Sequence, residues 1–247
     1  NKEGFSPKAI IEYLLTILNS NFEEWRLQNP DKSYEEFKFS VNKMSSSGAL
    51  FDMDKVLDIS KNVISRMTAE EVFDEVEKWA EEYDAEFADA LKANPGYAKE
   101  ILAIGRGGKK PRKDIAVWSG VKDYMGFFYD KYFVPAQSLP ENISAEDAVA
   151  VLEKYPTVYD ENDEQDVWFN KIKELASSLG YAADMKEYKK NPENFKGSVA
   201  DIAMILRIAV TGKTVSPDTY AVMKILGAKK VDERIKAACK SISEGGK

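Results

Sequence analysis

The chain of 247 residues contains no histidine and one cysteine, Cys239. Without imidazole there is no Ser-His-Asp triad, no Cys-His pair and no imidazole-ligated zinc site. A single thiol closes no internal disulfide, which points to a reducing cytoplasm. No apolar run approaches the roughly 20 residues of a membrane helix, and no signal-peptide pattern opens the chain. The chain begins on Asn1 and not on Met, so it is expected to be a piece of a longer protein. Strand signals are scarce: Phe37 to Val41 is the one stretch that alternates as a short strand would. Catalytic carboxylate pairs are missing too, because Glu70 and Glu71, or Glu81 and Glu82, are adjacent on predicted helices and point to different faces. The acidic run Tyr159 to Asp166 fails as a calcium loop, since Gln165 stands where Gly is needed and Lys171 where Glu is needed.

What is present is a helical grammar with a core large enough for two domains, 44% of the residues being apolar and 11% aromatic. Ser6 and Pro7 open a helix with apolar spacing through Ile10, Ile11, Leu14, Leu15 and Leu18. Thr68 with Glu71 forms a capping box for a helix through Val72, Val76 and Trp79. Trp118 to Phe133 reads as an aromatic helix. Pro135 to Asn142 is the clearest linker, and Ser144 starts the second half. There an apolar helix through Met204, Ile205, Leu206, Ile208 and Val210 stops at Gly212, a residue suited to a left-handed helix end. Ser216 is the expected N-cap and Pro217 the expected first residue of the next helix, which ends at Gly227. Arg207 is the one charge inside the apolar run.

The net charge of -7 argues against a uniformly basic nucleic-acid binder. Yet Lys99 to Lys113 holds six basic residues against one acid, Glu100. Within it, Gly105 to Lys113 fails as a nucleotide-hydrolase phosphate loop, because Lys110 stands where Ser or Thr must bind magnesium. Contact with RNA is the stronger functional reading: glycines allow close backbone approach and arginine offers a planar fork. A solvated basic loop is its structural alternative. Trp118 lies nearest the loop and is a stacking candidate, a contact worth about 1–3 kcal/mol per base; a core role is the alternative, as for Trp25, Trp79 and Trp168.

Three segments resemble, in family order, bacterial glutamyl-tRNA synthetases, class I ligases that join glutamate to its tRNA using ATP. Phe5 to Leu18 resembles the segment that follows the catalytic core, Ser47 to Lys55 resembles the next landmark, and Ile205 to Gly227 resembles the C-terminal signature. The resemblance covers essentially the whole chain. Lys43 to Ser47 is superficially similar to the family's ATP-phosphate loop, but that loop needs an α/β nucleotide core and a His-containing partner motif, neither of which is present.

The resemblance implies an all-α fold, with at most one or two short strands near the N-terminus, built as two helical-bundle units of the anticodon-binding type. Residues 1–66 would be a remnant of the stem-contacting region, 67–138 the first anticodon-binding unit and 139–247 the second. The implied partner is the tRNA for glutamate, bound by a cytoplasmic monomer with no membrane contact. Catalytic residues, metal and cofactor are expected to be absent here, ATP and magnesium belonging to the parent's catalytic domain, and the fragment should be inactive alone. The family's arginine for the third anticodon base falls at Arg112, with Arg106 as the alternative because the glycine-rich insertion shifts register. Members that also accept tRNA for glutamine commonly carry Gln there, so Arg implies discrimination favouring C over G at that base. Arg207, Ser216, Pro217 and Thr219 fall beside the first two anticodon bases, Thr219 replacing a larger apolar residue. Lys109, Lys110 and Lys113 are the phosphate-contact candidates. The competing reading is a helical protein–protein interaction module whose basic loop binds an acidic partner.

Overall fold

The computed structural model describes residues 2–44, 50–136 and 138–245. Among these there is no strand, only an isolated parallel bridge between Ala182 and Ser198, so the all-α expectation holds. Residues 45–49, which belong to the Lys43–Ser47 and Ser47–Lys55 stretches, lie outside the described residues. No described helix is long and apolar enough to cross a membrane. The chain divides into two compact units, Asn1–Met125 and Gly126–Lys247.

The first unit contains α1 (Pro7–Leu18), α2 (Phe22–Gln28), α3 (Met53–Arg66), α4 (Ala69–Tyr83), α5 (Ala85–Ala93), α6 (Pro95–Ala103) and α7 (Val121–Met125). Their starts follow from short polar side chains that satisfy orphan backbone N–H groups. Thr68 and Glu71 form the expected capping box, Asp84 accepts from the N–H of Phe87, and Asn94 accepts from that of Tyr97 with Pro95 following. α4 packs on α5 and α6 through fully buried Val76, Ala80, Phe87, Leu91 and Ile101, while α1 packs on α3.

In residues 1–133 two expectations are corrected, and the direction of α1, which its spacing leaves open, is settled. Phe37 to Val41 is not a strand but a link between 3-10 turns at Tyr34–Glu36 and Val41–Lys43. Its alternation has another cause: Phe37 packs against Phe22 and Trp25, with ring centroids 4.9 and 5.4 Å away, while Phe39 and Val41 face solvent. The Ser40 carbonyl accepts from the Asn19 amide at 2.8 Å instead of from a neighbouring strand. In α1, Ile11, Leu14 and Leu18 face outward, 36%, 44% and 38% exposed, Ile10 and Leu15 are half-buried, and Ala9, Glu12 and Tyr13 are buried. The Glu12 carboxylate turns this face inward because it accepts from Arg26 at 2.7 and 3.1 Å and from Arg66 at 3.0 and 3.2 Å. Finally, Trp118 to Phe133 is not one helix. It breaks into a 3-10 turn at Trp118–Gly120, the short α7, and a second 3-10 turn at Gly126–Phe128, where Gly126 weakens helix continuation.

The second unit contains α8 (Ala145–Lys154), α9 (Gln165–Ser178), α10 (Met185–Lys190), α11 (Val199–Thr211), α12 (Thr219–Leu226) and α13 (Ala228–Gly245). Ser144 caps α8 as expected, accepting from the N–H of Asp147 at 3.1 Å. α13 packs on α8 and α11, and the apolar run of α11 buries Ile205, Leu206, Ile208 and Val210. Gly212 ends α11 with φ +72°, and a Cβ added there would stand 2.0 Å from the Val134 carbonyl oxygen. The next start differs from expectation: Asp218, not Ser216, is the N-cap, accepting from the Ala221 N–H at 2.9 Å, and α12 begins at Thr219 rather than at Pro217. Asp and Ser are comparable caps, but a carboxylate also gains from the positive end of the helix dipole.

Candidate nucleic-acid interface

In the first unit the basic loop is shaped by two glycines with positive φ, Gly105 at +71° and Gly107 at +73°. The Arg112 N–H donates to the Gly105 carbonyl at 3.0 Å, closing the loop on itself. A Cβ at Gly105 would come within 2.6 Å of Arg112 Cδ, so glycine lets the arginine stem lie across the backbone.

The two candidate arginines have different surroundings. Arg106 Nε donates to the Leu102 carbonyl at 2.7 Å, and its Nη1 donates to those of Ile64 at 2.6 Å and Met67 at 3.2 Å. These carbonyls close the last turns of α6 and α3, so this guanidinium acts as a double C-terminal cap. Burial lowers the Arg106 pKa from its ordinary value, with Tyr124 and Asp114 acting in the opposite sense. Arg112 is exposed and is held by Asp114, Nε donating at 2.6 Å and Nη2 at 3.1 Å. The Tyr124 phenol is pushed up to about 12, first by burial and then by Asp114. Lys109, Lys110 and Lys113 are exposed and make no ion pair among the described residues. Trp118 is 3% exposed, a core residue and not a stacking platform.

In the second unit Arg207 sits half-buried on α11, and its Nε is buried without a hydrogen-bond partner. The turn after it is tied by the Thr211 hydroxyl, which donates to the Arg207 carbonyl at 2.7 Å and accepts from the Lys213 N–H at 3.1 Å. The Ser216 hydroxyl donates to the Pro217 carbonyl at 2.8 Å. Pro217 is buried. Thr219 is 5% exposed and its hydroxyl is buried without a partner. Among the described residues, then, two of the expected base-contacting side chains keep a polar atom without a protein partner. The candidates thus fall into two sets, one in each unit: Arg106 and Arg112 meet around Gly105, and Arg207, Ser216, Pro217 and Thr219 belong to α11, α12 and the turn between them.

One supporting residue was not anticipated from the sequence. Arg234 on α13 is 5% exposed, donates to the Val210 carbonyl at 2.5 Å and the Phe127 carbonyl at 2.7 Å, and lies 3.8 Å over the Phe133 ring. It caps the end of α11 just before the Gly212 turn. Its signal in the sequence is a charge three residues after the apolar Val231 and four before the small Ala238, on one helix face.

Comparison with known proteins adds three findings. A family described as "Anticodon binding domain" matches residues 112–239, just over half of the chain. The glutamate–tRNA ligase of Acetivibrio thermocellus is 47% identical over 232 residues, covering 94% of this chain and 42% of that ligase; that of Clostridium perfringens is 44% identical over 239 residues, covering 95% and 44%. The chain therefore spans less than half the length of these relatives. Among solved structures, glutamate–tRNA ligases of Elizabethkingia meningosepticum and Elizabethkingia anophelis share the fold over 96% of the chain, with TM-scores of 0.59 and 0.62 at 17% and 19% identity, and with 42% and 41% of those chains covered.

Proposed function

The chain belongs to the anticodon-binding domain family, and from that premise we propose that it is the anticodon-reading portion of a glutamate–tRNA ligase, with the tRNA for glutamate as its partner. Single-stranded RNA is read by splaying unstacked bases against side chains while phosphates fix the register. Arg112 contacts the third anticodon base, and its fork favours C over G there. Lys109, Lys110 and Lys113 hold the neighbouring phosphates. Arg207, Ser216, Pro217 and Thr219 meet the edges of the first two bases, where bound RNA gives partners to the Arg207 Nε and the Thr219 hydroxyl.

The observation that carries this reading is the division of labour between two arginines six positions apart. Arg106 is occupied by helix-end carbonyls and holds the loop, whereas Arg112 is presented at the surface by Asp114. In the second unit Asp218, not Ser216, is the N-cap of α12.

The chain is a cytoplasmic monomer that catalyses nothing by itself. ATP and magnesium serve the portion of the ligase that lies outside it. No relative reported above supports the competing module with an acidic protein partner.

The test is titration of the chain with glutamate tRNA, with anticodon-substituted versions and with glutamine tRNA at several salt concentrations. Loss of one base contact should cost about 1–3 kcal/mol, roughly 5- to 150-fold in Kd. Arg112→Gln should narrow the preference for glutamate over glutamine tRNA. Lys110→Ala should weaken all tRNAs alike and reduce the salt slope by about 0.7–0.9. Equal affinity for every anticodon, or an affinity ratio untouched by Arg112→Gln, overturns the reading.

A further inference from the structure

Arg112 is held at three places. Its N–H donates to the Gly105 carbonyl at 3.0 Å, its stem crosses Gly105 where no Cβ stands in the way, and its head pairs side-on with Asp114, Nε donating at 2.6 Å and Nη2 at 3.1 Å. A fork fixed in this way loses little freedom on binding. The carboxylate that fixes it is out of place for a phosphate grip. Residues 105–113 hold five basic residues and no acid, and Asp114 ends the run with a charge that repels phosphate. The pair also offsets the charge of Arg112, which leaves phosphate to Lys109, Lys110 and Lys113. A guanidinium beside a carboxylate is instead a hydrogen-bonding edge, with N–H donors on one side and acceptor oxygens on the other. Asp114 takes two of the five guanidinium donors, and each of its oxygens, accepting one of these bonds, has a further lone pair.

We propose that Asp114 is a second reader of the third anticodon base, accepting from the N4 amine of cytosine while Arg112 donates to N3 and O2. The proposal rests on the reading of Arg112 as the contact to that base. It adds a discrimination that arginine alone does not supply. Along its Watson–Crick edge cytosine offers two acceptors and then a donor, the complement of an arginine fork beside a carboxylate. Uracil offers acceptor, donor, acceptor. A guanidinium, which has only donors, can slide onto either uracil oxygen, but beside Asp114 the uracil O4 meets a carboxylate oxygen and its N3–H meets the arginine. Like then faces like at two positions, and each unpaired polar group costs affinity. The carboxylate thus turns a general acceptor-finding fork into a reader of C against U.

The experiment titrates the chain with glutamate tRNA carrying C, U or 2-pyrimidinone as the third anticodon base; 2-pyrimidinone keeps N3 and O2 and lacks only the N4 amine. The unmodified chain should bind the C form about 5-fold or more tighter than the pyrimidinone form, and about 10-fold or more tighter than the U form. Asp114→Ala should bring the C and pyrimidinone forms within about 2-fold of each other, and should melt within about 5 °C of the parent because the pair it breaks lies at the surface. Asp114→Asn keeps an acceptor oxygen but can turn its NH2 towards O4, so it should hold the C form and narrow the preference over U by about 5-fold or more. A carboxylate that only positions Arg112 gives another pattern: removing the amine then costs the same factor with and without Asp114. That result overturns the proposal, as does equal binding of the C and pyrimidinone forms by the unmodified chain. Indifference of the unmodified chain to substitution at all three anticodon bases would instead strike the functional reading, so the two failures are distinguishable.

Discussion

Replacing Arg106 and Arg112 separately by Gln removes the same charge from the same loop, so any difference between the variants is local. At Arg106 the change withdraws donors from the carbonyls of Leu102, Ile64 and Met67. A hydrogen bond from a charged donor contributes about 1.5–3 kcal/mol, and the carbonyls left behind are desolvated. Two well-formed bonds and one long one lead to an expected loss of about 3 kcal/mol in the first unit. For a unit of 125 residues that is a fall in Tm of roughly 10 °C. At Arg112 the ion pair with Asp114 lies on a surface where the two side chains are 40% and 29% exposed, and such a pair contributes about 0–1 kcal/mol. Calorimetry of both variants, followed by tRNA titration well below the lower Tm, reads the two effects separately. Arg106→Gln should be the less stable protein with intact anticodon preference, and Arg112→Gln the stable protein with a diminished one. If Arg106→Gln melts with the parent and loses the preference, the assignment of roles is reversed and the argument fails.

Glu12→Gln leaves Arg26 and Arg66 facing each other without their shared carboxylate, and should destabilise the first unit by about 3 kcal/mol in urea unfolding; a loss below 1 kcal/mol would show that the cluster relaxes into solvent. Gly212→Ala forces a left-handed residue, costing about 1–3 kcal/mol, and also drives Cβ against the Val134 carbonyl; thermal melting should show more than 3 kcal/mol lost, and a neutral result would mean that the turn rearranges freely. In alkali, Tyr124 and Tyr159 are both pushed up to about 12, first by burial and then by Asp114 and Glu161 respectively, while unfolded tyrosine ionises near 10.0. Their contribution to stability is therefore complete below pH 10 and declines as pH rises towards 12. Absorbance at the phenolate band should show these rings titrating late, together with unfolding; their ionisation in the folded protein near pH 10 would contradict it.

Helix ends were the most legible part of the sequence because they depend on near neighbours. Thr68 with Glu71, Ser144 and Gly212 act within one turn, and each stands where local chemistry places it. Ser216 was misread since Asp218, two residues on, offers an equally local cap, and the added gain of a carboxylate at the helix dipole was not weighed. The alternation of Phe37 to Val41 reported correctly that one side is buried but not what buries it, which is an aromatic cluster around Phe22 and Trp25 rather than a neighbouring strand. The spacing of α1 likewise identified which residues share a face while leaving its direction open, because that direction depends on Arg26 and Arg66, 14 and 54 residues from Glu12. The site was legible as a basic loop and a charged residue in an apolar helix. Arg106 and Arg112 look alike in sequence, and their difference lies in the carbonyl of Ile64, 42 residues away.

The transfer of capping from Ser216 to Asp218 separates two demands that commonly fall on the same atoms. Because Asp218 accepts from the Ala221 N–H, the start of α12 is fixed by a side chain other than those expected to meet the bases. A library at position 216 with Asp218 and Gly212 kept puts that separation to use: the helix start should persist across the variants, so any change in tRNA binding by the chain can be read at the side chain itself.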